Sequence, residues 1–282
     1  MSGRLGVKKT HKLYIGGQFP RSESGRTYPA LDSDGKVIAR VALASRKDLR
    51  DAVRAARSAQ PGWAGRTGYN RGQILYRLAE MIDERSSVFV DQLRETGSSR
   101  RHAETEVAAT ADRLVWYAGW CDKFAQVFGN LNPVSGPFFN ISTPEPSGVV
   151  CTIAPPDLPL LGLVSRIAPA LVTGNTVIAV ASERRPIPAV ALAEALAVSD
   201  VPGGVVNLLT GSPLELVPWM AGHMDVNVLD LTGAPAEVVV EAETAAAENM
   251  KRIVKGPQAD AQSPYLIAAF TETKTVWHPK GL

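Results

Sequence analysis

Cysteine is scarce in this sequence: Cys121 and Cys151 are the two in 282 residues. So few thiols cannot build a disulfide framework, and they fit a reducing compartment. Charge of one sign is also lacking, because 30 Lys and Arg against 28 Asp and Glu leave a net of +2. That balance argues against nucleic acid or an anionic membrane surface, which want a concentrated basic patch. No run of about 18 apolar residues is present, so no membrane span is expected. The first residues contain no apolar core of the signal-peptide kind, and a cytoplasmic protein is expected. His11, His102, His223 and His278 are scattered without metal-ligand spacing, so no metal site is expected. No two of the 24 glycines stand two apart, which removes the G-x-G-x-x-G dinucleotide fingerprint. The G-x-x-x-x-G-K-[ST] phosphate loop is absent too.

What is present reads as an ordinary globular chain, with 45% hydrophobic residues and 21% charged. Residues 12–44 carry hairpin signals, with turns at Gly16-Gly17 and Asp34-Gly35. Residues 46–60 have helical spacing, with Ser45 as N-cap and Asp48 three residues on. Further helices are predicted over 70–85, 86–96 and 103–126, and an extended segment over 138–143. From 149 onward short apolar runs alternate with helical ones. Strands are predicted at 149–154, 176–180, 205–209, 226–231 and 252–254. The helices between them are predicted at 158–172, 187–197, 214–220 and 236–250. Such alternation predicts an α/β fold: a Rossmann-like parallel sheet with helices on both faces. Ligands of such sheets sit outside the carboxyl ends of the strands. A polar linker follows, and then an extended, β-rich tail over 265–277.

Three stretches are more specific: Gly148-Val149-Val150-Cys151-Thr152-Ile153-Ala154-Pro155-Pro156-Asp157, Ile167-Ala168-Pro169-Ala170-Leu171-Val172-Thr173-Gly174-Asn175, and Val201-Pro202-Gly203-Gly204-Val205-Val206-Asn207. With Glu95-Thr96-Gly97 and the tail Glu272-Thr273-Lys274-Thr275-Val276-Trp277, their order and spacing resemble the cofactor half of aldehyde dehydrogenases. Ser182-Glu183-Arg184-Arg185-Pro186 and Ser199-Asp200-Val201-Pro202 are similar, more narrowly, to the truncated second unit of family-16 aldehyde dehydrogenases, here standing alone. The resemblance implies a cofactor-binding-like domain over 1–256, made of hairpins and helices (1–128), an arm strand (129–147) and the α/β sheet (148–256). It further implies a linker over 257–264 and a C-terminal oligomerisation strand over 265–282.

The same resemblance marks departures. The catalytic domain is expected after the strand at 252–254, where Lys255 to Pro264 stand instead. The family's nucleophilic cysteine and glutamate base have no counterpart, so no catalytic residue is expected. The oxyanion asparagine is replaced by Asp157, an acceptor where a donor is needed. Asp157 then reads as a turn residue or a helix N-cap. Of the ribose-binding pair only Glu183 remains, with Val180 in the lysine position. The pyrophosphate turn is reduced to Thr232-Gly233-Ala234, and Val238 replaces a glycine. Glu183, Thr232 and Gly233 are therefore vestigial cofactor-binding positions, and nothing stronger than weak NAD(P) binding is expected. The expected function is a pseudoenzyme that forms homo-oligomers or joins a full-length aldehyde dehydrogenase subunit. The alternatives are a working NAD(P)-dependent aldehyde oxidoreductase and a nucleotide-binding sensor.

Overall fold

The structure, a computed structural model, describes residues 8–256 and 261–281. Residues 257–260 of the expected linker lie outside the described residues. In chain order the elements are β1 (Thr10–His11), β2 (Thr27–Leu31), β3 (Val37–Ala42), α1 (Arg46–Ala64), α2 (Gly68–Glu84), α3 (Ser86–Glu95), α4 (Arg100–Ala118), α5 (Phe124–Phe128), β4 (Asn130–Asn132) and β5 (Phe138–Pro146). The alternating half follows: β6 (Val149–Ile153), α6 (Leu161–Val172), β7 (Thr176–Val180), α7 (Ile187–Val198), β8 (Val206–Leu209), α8 (Pro213–Gly222), β9 (Val228–Asp230), α9 (Ala236–Ala247) and β10 (Arg252–Val254). The chain closes with α10 (Pro264–Ala268) and β11 (Thr271–Pro279).

The centre is a five-stranded parallel sheet in the order β10-β9-β6-β7-β8. β6 and β7 are buried at every residue, as strands covered by helices on both faces must be. One face packs on a core that includes Leu75, Phe89, Leu114 and Leu171, the other on Leu49, Val53, Val217 and Met220. The order turns back at β6, whose neighbours are β9 and β7, so the crevice for a ligand lies beyond the ends of these strands.

Polar side chains hold the sheet where backbone pairing stops. Asn175 is wholly buried just before β7; its Oδ1 accepts from Gly148 N at 2.8 Å. Its Nδ2 donates to the carbonyls of Ala170 and Phe270, each at 3.0 Å. One side chain thus joins the start of β6, the end of α6 and the tail. α1 starts in a capping box, with Ser45 accepting from Asp48 N and the Asp48 carboxylate from Ser45 N.

Three expectations need correction. The helix expected over 103–126 breaks after Ala118: the chain turns through Gly119 to Lys123 before α5. Asp157 is no N-cap, because α6 begins later. The two amides at its start, Leu160 N and Leu161 N, donate instead to the buried carboxylate of Glu106 on α4, at 3.0 and 3.2 Å. The tail is not one extended arm. Pro264–Ala268 is a helical turn whose Leu266 and Ile267, with Phe270 beyond it, are buried. These apolar side chains gain more from the core than from an exposed strand. β11 then pairs antiparallel with β5 of its own chain, from Thr271↔Pro146 to Pro279↔Phe138. With β4 it makes a second sheet, β11-β5-β4, outside the parallel one. Deleting 264–282 would therefore strip the core as well as the arm.

Asn175→Ala is expected to leave the Gly148 amide and the Phe270 carbonyl without that partner. The Phe270 carbonyl keeps Ser147 N, so the unsatisfied Gly148 amide sets the cost, about 1–3 kcal/mol. Urea unfolding should show a lower midpoint at unchanged slope; a midpoint like that of the unaltered chain would contradict this role.

Candidate functional site

The crevice at the carboxyl ends of β6, β7, β8 and β9 gathers four turns: Ala154–Asp157, Ala181–Arg185, Gly211–Pro213 and Leu231–Pro235. All four expected positions stand in these turns. Asp157 is exposed after β6, and Glu183 is exposed after β7. Both line a cavity of about 500 Å³ with Asp32, Thr96, Arg184 and Arg185. The Glu183 carboxylate accepts from Ser212 Oγ, at 3.4 Å, so the turns after β7 and β8 meet there. Gly233 packs so closely on β6 that a Cβ would collide with the Ile153 carbonyl. Val180 is buried and Val238 nearly so; both serve as packing.

Thr232 belongs to a network that the sequence did not reveal. Its Oγ1 donates to Asp230 Oδ1 at 2.5 Å and accepts from Gly256 N at 2.7 Å. Arg166, from α6, donates to the same hydroxyl at 3.3 Å and lies 3.8 Å from the Asp230 carboxylate. Both charged side chains are essentially without solvent exposure. Burial pushes the Asp230 carboxyl up from its ordinary value, while Arg166 and the Thr232 bonds oppose the rise. Breaking such a buried pair by removing one partner typically costs about 3–5 kcal/mol. Its one sequence signal was a lone Asp inside an apolar strand.

Arg185 is the other fixed cation. Its guanidinium donates to the Leu93 carbonyl, Thr96 Oγ1 and Ser98 Oγ, at 3.1, 3.1 and 2.6 Å. It clamps the end of α3 to the turn after β7. These residues therefore hold the crevice together from inside the chain.

Neither cysteine is placed for nucleophilic chemistry. Cys121 follows α4 and Cys151 is in the middle of β6; both are buried and free. Burial pushes both thiols up to about 12, against a partial downward pull from Arg71 on Cys121 and from Lys251 on Cys151. A reactive thiol needs the opposite shift. Among the described residues no group of three or more His, Cys, Asp or Glu is placed to hold a metal ion. Among them too, no helix is long and apolar enough to cross a membrane.

A twisted parallel sheet, helices on both faces and a crevice at the strand-order reversal define the class of doubly wound, Rossmann-like domains. The sequence model described as the aldehyde dehydrogenase family matches residues 20–270, and the chain belongs to that family. It is 32% identical over 267 residues to aldehyde dehydrogenase family 2 member B4, mitochondrial, of Arabidopsis thaliana, covering 93% of this chain and 49% of that protein. It is 32% identical to the putative aldehyde dehydrogenase DhaS of Bacillus subtilis, covering 88% of this chain and 50% of that one. Among solved structures, HpcC from Thermus thermophilus superposes with a TM-score of 0.81 at 31% identity, over 86% of this chain and 47% of that one. An NAD+ complex of an aldehyde dehydrogenase from Bacillus cereus superposes with the same score at 27% identity, over 86% and 50%. The chain thus spans about half the length of these relatives.

The thiols give a test. A thiol whose pKa is raised on folding stabilises the fold below its unfolded value of 9.0, and that contribution is lost as pH rises toward about 12. Stability should therefore fall above pH 9 in the parent and less in a Cys121→Ser, Cys151→Ser double variant. Native protein should resist iodoacetamide at pH 8 and react once unfolded. Fast alkylation of the native chain would show an accessible thiolate and refute the assignment.

Proposed function

We propose that this chain is a non-catalytic aldehyde dehydrogenase-like subunit, a pseudoenzyme that works by assembly with a copy of itself or with a full-length aldehyde dehydrogenase. The observation that carries the reading is the sheet β11-β5-β4. Leu131, Ile141 and Val276 stand opposite one another on its three strands and form an apolar stripe, 66%, 46% and 45% exposed. Phe139 extends the stripe on the same face, and β11 keeps an unpaired edge nine residues long. Contiguous exposed apolar surface beside a free edge is what an association site requires.

The chemistry supports the same reading. Only Lys255 to Ser263 stand between β10 and α10, where the family resemblance places a catalytic domain, and a domain needs about 100–150 residues. Asp157 cannot donate to an oxyanion, and no thiol is near the crevice mouth with a lowered pKa. The narrower likeness to the degenerate unit of family-16 enzymes fits a scaffold role. The surviving contact of Glu183 with Ser212, and the hydroxyl of Thr232, favour a second reading as a weak NAD(P) sensor. They do so less strongly, because Thr232 is already satisfied within the chain.

Purified protein is expected to give no NAD- or NADP-dependent oxidation across a panel of aldehydes. Light scattering should show an assembly, or one formed on adding a full-length aldehyde dehydrogenase. Ile141→Lys with Val276→Lys should weaken it about thirtyfold or more, as for central interface residues. Turnover abolished by Cys121→Ser or Cys151→Ser would sink the pseudoenzyme reading. An assembly that tolerates both lysines would remove its carrying observation.

A further inference from the structure

A groove of about 730 Å³ lies between α1 and α8. Arg46, Lys47 and Arg50 line it from α1, and Trp219, His223 and Met224 from the second half of α8 and the turn after it. It shares no residue with the crevice at Glu183, and no carboxylate is in its lining. Lys47 and Arg50 reach Glu23 and Asp51 at its rim, at 3.2 and 3.0 Å, in exposed pairs that contribute little.

Arg46 differs from them. It is exposed, and its guanidinium lies 4.1 Å from the centre of the Trp219 ring rather than against an acid. Trp219 itself is 46% exposed and Met224 78%. Three cations also stand in the first turns of α1, the positive end of the helix dipole, where cations are disfavoured; the acid among them, Asp48, is turned away to Ser22, Glu23 N and Ser45 N. A merely solvated helix face calls for neither that charge placement nor an open indole and thioether beside it. The combination suits a ligand with a planar aromatic body and several negative charges. Bases stack on guanidinium and indole faces, and phosphates are met by clustered Lys and Arg.

We propose that the α1–α8 groove binds a nucleoside diphosphate, with its base against the Arg46–Trp219 stack and its phosphates at Lys47 and Arg50. This site is independent of the assembly reading and of any residual cofactor binding in the crevice.

ADP, adenosine and inorganic pyrophosphate would be titrated into the full chain, followed by tryptophan fluorescence and calorimetry at low and high salt. ADP should bind, and more weakly at high salt, because the cations are solvent-facing. Adenosine and pyrophosphate should each bind about tenfold or more weakly, since each lacks one half of the recognition. Gly222→Phe supplies a blocking variant at a residue of the groove's lining where nothing lies within 4 Å of a Cβ, with circular dichroism as the check that it folds. It should abolish ADP binding, as should Arg46→Glu, while Glu183→Ala leaves binding unchanged. No ADP binding at millimolar concentration would overturn the proposal. So would binding that survives Gly222→Phe, binding lost in Glu183→Ala, or pyrophosphate as tight as ADP.

Discussion

The arrangement depends on one buried amide, that of Asn175. Where β6 and β7 begin, the ladder between them has no further partner for Gly148 N, and the carbonyls at the end of α6 are turned inward. Asn175 meets both needs and reaches the Phe270 carbonyl as well. Ser147 N donates to the same carbonyl at 3.2 Å. A buried polar network of this kind is stabilising only when every member is satisfied, so the four segments must come together or not at all. The amino ends of the neighbouring strands repeat the device. Asn207 Oδ1 accepts from Gly16 N, and Asn227 Oδ1 from Val149 N, each at 2.9 Å.

At the opposite end of the sheet the crevice is held by charge. Glu106 takes the first amides of α6, Arg113 donates to Ser165 from the same helix α4, Arg166 meets Asp230 and Thr232, and Arg185 ties down α3. In a catalytic site such groups would keep free lone pairs or protons aimed at a substrate. Here the bonds of Glu106, Arg113 and Arg185 end on the chain's own backbone and side chains, while Arg166 keeps its Nε and Nη2 buried without a hydrogen-bond partner among the described residues. Burial shifts both thiols toward the protonated form. The same residues thus hold both the fold and the crevice.

Much of this fold was legible because the parallel strands are short, mostly apolar and set off by Gly, Pro and Asn. β7 and β10 fall on the predicted residues, and the Ser45–Asp48 capping box is a local signal read directly. The misreadings concern partners far away in sequence. Where α4 ends, Gly72 and Gly68 of α2 pack closely on the Ala118 and Cys121 carbonyls, a contact made by residues far away in sequence. The α6 cap comes from a glutamate 54 residues upstream, and Asp230 is tolerated because of an arginine on another helix. The tail was expected to be extended over 265–277, yet Leu266, Ile267 and Phe270 find places in a core formed by earlier elements. Of the site positions, Asp157 and Glu183 stand in strand-end turns, as the strand–helix alternation suggested. The Thr232 hydroxyl, by contrast, was not readable as already engaged.

The second sheet gains its meaning from how firmly it is mounted. An arm hinged on a flexible linker would lose much of its association energy to ordering. This one is anchored at both strands. Arg252 on β10 donates to Glu272 on β11 at 2.7 Å, joining the edge of the parallel sheet to the arm. Phe270, one residue before β11, is wholly buried and bonded through its carbonyl to Asn175 and Ser147. Lys274 pairs with Glu145 across the strands at 3.1 Å, and Phe138 meets the Trp277 ring edge-on at 5.7 Å. The direction of the arm is therefore set by the same core that shapes the crevice. On the proposed assembly reading, a strand edge and an apolar stripe mounted on that core would select a partner by geometry.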